Sequence, residues 1–149
     1  MKNCKYLLVA SGGGHLKELY EALPKSFNFN ISVLLTYQTK TISKANKNVN
    51  FIVNPHKSIF KYFLCFVQTL YYFLRYRPKC VISTGAGIAI PSIILAKVFG
   101  AQLFFIETAA NLHKPSKTGN FAYKRADLFI VQYKKLQEYY PNARIGRLL

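Results

Sequence analysis

The stretch Tyr6-Leu-Leu-Val-Ala-Ser-Gly-Gly-Gly-His-Leu16 decides how the rest of the chain is read. Its first five residues are a short apolar run, the pattern of a strand buried on both faces of a parallel sheet. Ser11 and three glycines end that run. Leu16, Leu19, Tyr20 and Leu23 then recur at helical spacing until Pro24 stops the helix. Strand, glycine turn and helix in this order open a βαβ unit. The full dinucleotide fingerprint is absent, since Lys17 stands where its last glycine would be, and no G-x-x-x-x-G-K-[ST] occurs.

The same alternation continues to the end of the chain. Further strands are expected at 31–36, 51–53, 80–83, 102–106 and 128–131. Helices are expected at 15–23, 58–76 and 88–99, with a short one around 121–125 and a last one at 134–140. Pro91 falls in the first turn of the 88–99 helix, where proline is tolerated, and Gly100 caps it. The segment 38–50 is polar and basic, a loop or weak helix. The expected class is α/β, a Rossmann-like, doubly wound parallel sheet in a single domain over 1–149. Ligands of such sheets bind at the carboxyl ends of the strands. Ser11, Gly12, Gly13, Gly14 and His15 lie at that edge. So do Thr84, Gly85, Ala86 and Gly87, and so do Glu107 to Asn111. Three special loops at one edge say more than any one of them.

Composition narrows the chemistry. The chain has 149 residues, 21 Lys+Arg against 5 Asp+Glu, and a formal net charge of +16; 51% of it is hydrophobic and 15% aromatic. That excludes intrinsic disorder and a large two-domain enzyme. The acids are Glu18, Glu21, Glu107, Asp127 and Glu138, too few for a carboxylate-built metal cage, and neither metal nor cofactor is expected. No acid lies between Glu21 and Glu107, a span with ten cations. Such a field attracts phosphate on nucleic acid, anionic lipid or a diphosphate substrate. The bland alternative is solubility and an AT-rich codon bias. Cys4, Cys65 and Cys80 read as free thiols in a reducing compartment. The N-terminal residues read as a first strand rather than a signal peptide.

Within the loops, His15 suits a general base or a hydrogen-bond donor to phosphate; a helix-capping histidine is the structural alternative. Glu107 suits a site base or a group that orients a hydroxyl; a structural ion pair is its alternative. Two glycine loops in one sheet suit a diphosphate better than a single turn requirement does.

The 58–76 helix is apolar around nearly its whole circumference, where a surface helix shows one stripe. Its apolar core at 59–74 is shorter than the ~20 residues needed to span a bilayer. Aromatics with basic flanks suit the membrane interface. The expected contact set is Lys57, Phe60, Lys61, Phe63, Leu64, Phe66, Val67, Leu70, Tyr71, Phe73, Leu74, Arg75 and Arg77. A core or subunit-interface helix is the alternative. The 88–99 helix is almost wholly apolar as well.

Ser11-Gly-Gly-Gly-His-Leu16, Ser83-Thr-Gly-Ala-Gly87, Phe105-Ile-Glu107 followed by Lys114-Pro-Ser-Lys-Thr-Gly119, then Ala126-Asp127 and Val131-Gln132, together resemble one family throughout. It is the bacterial PssD/CpsF-type polysaccharide biosynthesis family. Its eukaryotic relative is the membrane-anchoring subunit of the transferase that adds the second GlcNAc to dolichyl-diphosphate-GlcNAc. The resemblance implies the N-terminal, acceptor half of a GT-B glycosyltransferase, working in capsule or exopolysaccharide assembly. It implies a heterodimer with a separate nucleotide-sugar-binding subunit, a polyprenyl-diphosphate-sugar acceptor, and a peripheral position on the cytoplasmic face of a membrane with anionic lipid. A more distant single-chain relative makes lipid II in peptidoglycan synthesis. Its first glycine loop also ends in histidine, which points to His15 as base or phosphate contact, and its acidic motif after the fifth strand resembles Glu107–Asn111 loosely. The eukaryotic relatives carry an N-terminal membrane helix; here the 58–76 helix and its cations would do the anchoring. Two rival readings are a non-catalytic membrane adaptor and a basic nucleotide- or RNA-binding domain. Nucleic acid is the outsider, for want of a recognisable binding motif.

Overall fold

The structure is a computed structural model, and it describes residues 5–37, 39, 48–56, 58–110 and 114–146. Its elements are β1 (Tyr6–Ala10), α1 (Gly14–Ala22), β2 (Ser32–Thr36), β3 (Val49–Phe51), α2 (Ile59–Tyr76), β4 (Cys80–Gly85), α3 (Ala89–Val98), β5 (Gln102–Ile106), α4 (Lys117–Tyr123), β6 (Leu128–Val131) and β7 (Arg144–Ile145). The sheet order is β3-β2-β1-β4-β5-β6-β7, and every pair is parallel. The chain steps outward from β1 on one side, then returns to place β4 on the other. The reversal between β1 and β4 is the topological switch point, where a crevice opens at the carboxyl ends.

Both faces of the sheet are apolar. Leu7, Val9, Val33, Leu35, Val81, Leu103 and Phe105 pack with Cys65 and Phe73 of α2 and Ile93 of α3. Leu8, Ala10, Leu34, Ile82 and Ile106 pack with Leu16 and Leu19 of α1. The register shifts between Val9 and Ala10, so that Ala10 lies opposite Gly85. This one-residue adjustment brings the two glycine loops level.

The helix ends follow their sequence. Ser58 caps α2 by accepting from Lys61 N–H, and Arg77 closes it in the left-handed region (φ 44°) before Pro78. Ser116 caps α4 by accepting from Gly119 N–H over 2.7 Å. That cap starts α4 earlier than the expected 121–125, because Gly119 lies inside the helix. The expected 134–140 helix is a short 3-10 turn, Lys134–Glu138. β3 lies two residues before the expected 51–53, β4 runs two residues past 83, and β7 is a seventh strand beyond the expected six. Cys65 and Cys80 are free and buried, and burial pushes both thiols up to about 11. Cys4 and most of 38–50 lie outside the described residues.

Candidate functional site

The site forms where β1, β4 and β5 end. β1 delivers Ser11 and the glycines, and Gly13 turns the chain with φ 89°, a conformation open to glycine. α1 begins one residue later, so His15 sits in its first turn. His15 Nδ1 lies 3.0 Å from the Thr84 carbonyl oxygen, and the Thr84 hydroxyl donates to the His15 carbonyl over 2.7 Å. The two loops are thus latched to each other at one residue pair. A carbonyl only accepts, so Nδ1 carries the proton, and in the neutral imidazole Nε2 keeps its lone pair.

Below the latch, Ser83 donates its hydroxyl to Val9 O (2.7 Å) and accepts from Gly85 N–H (3.0 Å). Gly85 is at φ 103° and Ala86 at φ 71°. The Phe105 ring lies 3.2 Å, and the His15 ring 4.0 Å, from where a side chain on Gly85 would begin. At Gly87 the crowding group is the Tyr62 hydroxyl, 2.5 Å from the same point. The second glycine loop therefore needs glycine for close approach by its neighbours.

Two carboxylates at this edge have different settings. Glu107 is 1% exposed. Ser116 donates to its Oε2 over 3.1 Å and Tyr140 over 3.4 Å, and Gly119 leaves the room that this carboxylate fills. Burial first, and the Glu107 charge second, push the Tyr140 phenol well above its ordinary range. Gln132 donates to the Glu107 carbonyl (3.1 Å), tying the ends of β5 and β6 together. Glu107 is thus turned toward α4 and the C-terminal turn. The sequence offers it as a site base or as a group that orients a hydroxyl; here its carboxylate is buried among hydroxyl donors.

Glu18 is the acid that sequence reasoning overlooked. It lies one turn beyond His15 on α1. Its Oε1 accepts from the Thr108 hydroxyl and from Ala109 N–H, both at 3.1 Å, while its buried Oε2 has no partner among the described residues. α1 thereby holds both neighbouring loops, that after β4 through His15 and that after β5 through Glu18. A glutamate in a helix ordinarily reads as a solvated group, and nothing local marks this one. Tyr140 and Tyr62 carry no mark as site residues either, and Ser116 is marked only as part of the Lys114–Gly119 motif. Asp127 stands at the other edge of the sheet, where it accepts from Leu103 N–H (2.7 Å) and pairs with Lys97 (3.0 Å). Asn111 lies outside the described residues, and no group of three metal-ligating side chains occurs among the described ones.

α2 separates its apolar residues into two faces. Cys65, Thr69 and Phe73 point into the core. Phe60, Phe63, Val67, Tyr71 and Leu74 form an exposed stripe at spacings of three and four, with Phe60 69% and Phe63 62% open to solvent. Val98 and Phe99, at the end of α3, are exposed as well. Lys61, Arg75 and Arg77 are exposed on the same helix and its cap. Arg75 is held by the Tyr71 hydroxyl at 2.7 Å. Leu64, Phe66 and Leu70 are half-buried. Phe73 corrects the expected contact set: it is 1% exposed and packs 5.8 Å from Phe99, so it supports the helix from beneath. Lys57 lies outside the described residues. Among the described residues, no helix is long and apolar enough to cross a membrane.

A family described as "Oligosaccharide biosynthesis protein Alg14 like" matches residues 34–148. No curated protein sequence matches the chain. Among solved structures, UDP-N-acetylglucosamine 2-epimerase from Rickettsia bellii superposes with a TM-score of 0.69 at 14% identity, covering 93% of this chain and 41% of the epimerase. MurG from Acinetobacter baumannii superposes with a TM-score of 0.64 at 15% identity, covering 85% of this chain and 41% of MurG. The chain thus spans less than half the length of either protein. At these identities the likeness is one of fold, a Rossmann-like parallel sheet matching the N-terminal half of GT-B enzymes.

Proposed function

The chain belongs to the Alg14-like oligosaccharide biosynthesis family, and from that premise we propose that it is the acceptor-binding, membrane-recruiting subunit of a two-component glycosyltransferase. In this reading a separate subunit binds the nucleotide-sugar. The pair transfers a sugar to a polyprenyl-diphosphate-linked sugar at the cytoplasmic face of the membrane, for capsule or exopolysaccharide assembly. The superposition on MurG supports the reading through its fold.

The observation that carries the reading is the His15–Thr84 latch. By donating Nδ1–H to a carbonyl, His15 presents Nε2 at the strand ends as a ready proton acceptor. The acceptor hydroxyl gives its proton to Nε2 as its oxygen attacks the anomeric carbon. The nucleotide diphosphate leaves on the partner's side. Backbone N–H groups of Gly12–Gly14 and of the 84–87 loop meet the acceptor diphosphate, and the +16 charge favours it. Glu107 acts as a positioning residue, holding the start of α4 and the end of β5. The exposed stripe of α2 rests on the lipid, with Lys61, Arg75 and Arg77 meeting anionic headgroups.

The test is sugar transfer to a lipid-diphosphate sugar by this chain, by its partner, and by both together. The reading expects turnover from the pair alone. Full activity of the partner, unchanged on adding this chain, contradicts it.

A further inference from the structure

We propose that the Tyr62 hydroxyl is a diphosphate contact of the lipid-linked acceptor, placed where the glycine loop after β4 meets the first turn of α2. The proposal rests on the acceptor-binding reading and adds a residue to it.

Tyr62 lies in the first turn of α2. Its hydroxyl approaches Gly87 closely enough that a Cβ there would sit 2.5 Å from the oxygen, with the ring Cζ at 3.4 Å and Pro55 Cγ at 3.5 Å. The ring is half-buried, so its position is set by packing. The hydroxyl has no hydrogen bond with any described residue, yet it is not among the fully buried polar atoms that lack a partner. It is a donor at the loop with no partner among the described residues.

Its surroundings select the ligand. Ile59, three residues back on the helix, is 90% exposed, and the stripe continues through Phe60 and Phe63. Lys61 is exposed beside it, and no acid occurs between Glu21 and Glu107. A phenol O–H against a glycine loop, on the helix whose opposite side carries an exposed apolar stripe, suits a molecule with phosphate oxygens at one end and a hydrocarbon chain at the other. Tyrosine fits such a boundary, because its ring is apolar and its tip polar.

The experiment uses the full chain and Tyr62→Phe, which removes one oxygen and keeps the ring. Three probes are titrated: farnesyl diphosphate, farnesol, and phosphatidylglycerol vesicles. The expected result is about a tenfold loss of farnesyl diphosphate affinity, close to 1.4 kcal/mol, with farnesol binding, vesicle binding and Tm unchanged. Equal farnesyl diphosphate binding by both proteins overturns the proposal. Vesicle binding that weakens as much as farnesyl diphosphate binding also overturns it, since the hydroxyl would then serve headgroups. A wild-type chain that binds no farnesyl diphosphate sinks the acceptor reading itself, and the proposal with it. Gly87→Ala supplies an independent check. It should weaken farnesyl diphosphate and lower Tm, and Tyr62→Phe combined with it should restore Tm.

Discussion

His15 and Thr84 hold each other by two hydrogen bonds, Nδ1 to the Thr84 carbonyl at 3.0 Å and the Thr84 hydroxyl to the His15 carbonyl at 2.7 Å, across 69 residues of sequence. One bond sets the tautomer of the imidazole. The other fixes the first turn of α1 against the second glycine loop. His15→Asn keeps an amide donor for the carbonyl and removes the base. We expect kcat of the reconstituted pair to fall roughly 10²–10⁴-fold with Tm nearly unchanged. Thr84→Val removes the return bond and should cost about 1 kcal/mol of stability, read by urea unfolding.

Glu18 gives a sharper contrast between two substitutions. Glu18→Gln keeps an oxygen for Thr108 and Ala109 and neutralises a carboxylate whose buried Oε2 has no partner among the described residues. Stability should hold or rise. Glu18→Ala releases both donors, with an expected loss of about 1–3 kcal/mol and a raised KM for the acceptor, because the loop after β5 is no longer tied to α1. Calorimetry and steady-state kinetics on the two variants check this.

Glu107 should prove to be a folding residue. Its replacement by Ala leaves the Ser116 and Tyr140 hydroxyls without their shared acceptor, for about 1–3 kcal/mol. Gly119→Ala should be worse, since the new methyl meets the Glu107 carboxylate directly. Both effects appear in Tm whether or not the partner subunit is present.

The two faces of α2 predict opposite phenotypes. Phe60→Ser with Phe63→Ser should cut binding to anionic vesicles at least tenfold, since each ring contributes about 1.5–3 kcal/mol when buried, and leave Tm unchanged. Binding should also weaken as salt rises. Phe73→Ser should unfold the protein, because Phe73 is 1% exposed. Vesicle flotation and thermal melts separate these outcomes.

Much of this was legible in the chain, and the failures have physical causes. β1, β5 and β6 read correctly because each is an apolar run with abrupt polar, glycine or acidic ends. β7 could not be read: Arg144 and Ile145 are both exposed, and only pairing with β6 makes them a strand. The α4 boundary was missed because Gly119 resembles a loop residue until Glu107, twelve residues earlier, is seen to occupy its side-chain space. The glycine loops point to the candidate site. Glu18 does not, because its partners Thr108 and Ala109 lie about ninety residues away. The circumference of α2 looked uniformly apolar, and only packing shows which half is free.

The buried thiols yield a pH prediction. Burial raises the Cys65 and Cys80 thiols to about 11. A raised thiol contributes stability fully below its unfolded pKa, near 8.5, and loses it as pH rises through the folded value. Cys65 and Cys80 should resist alkylation at pH 8 in the native protein, and stability should fall between pH ~8.5 and about 11. Cys65→Ala should flatten that decline, as followed by Tm against pH.

The central claim is that this chain carries the acceptor side of the reaction and its partner the donor side. Gly13→Val forces a side chain into φ 89° at the first glycine loop. The most direct measurement is the apparent KM of the reconstituted pair for each substrate, with and without that change. The account predicts a higher KM for the lipid-diphosphate acceptor and an unaltered KM for the nucleotide-sugar. A rise confined to the nucleotide-sugar would contradict it.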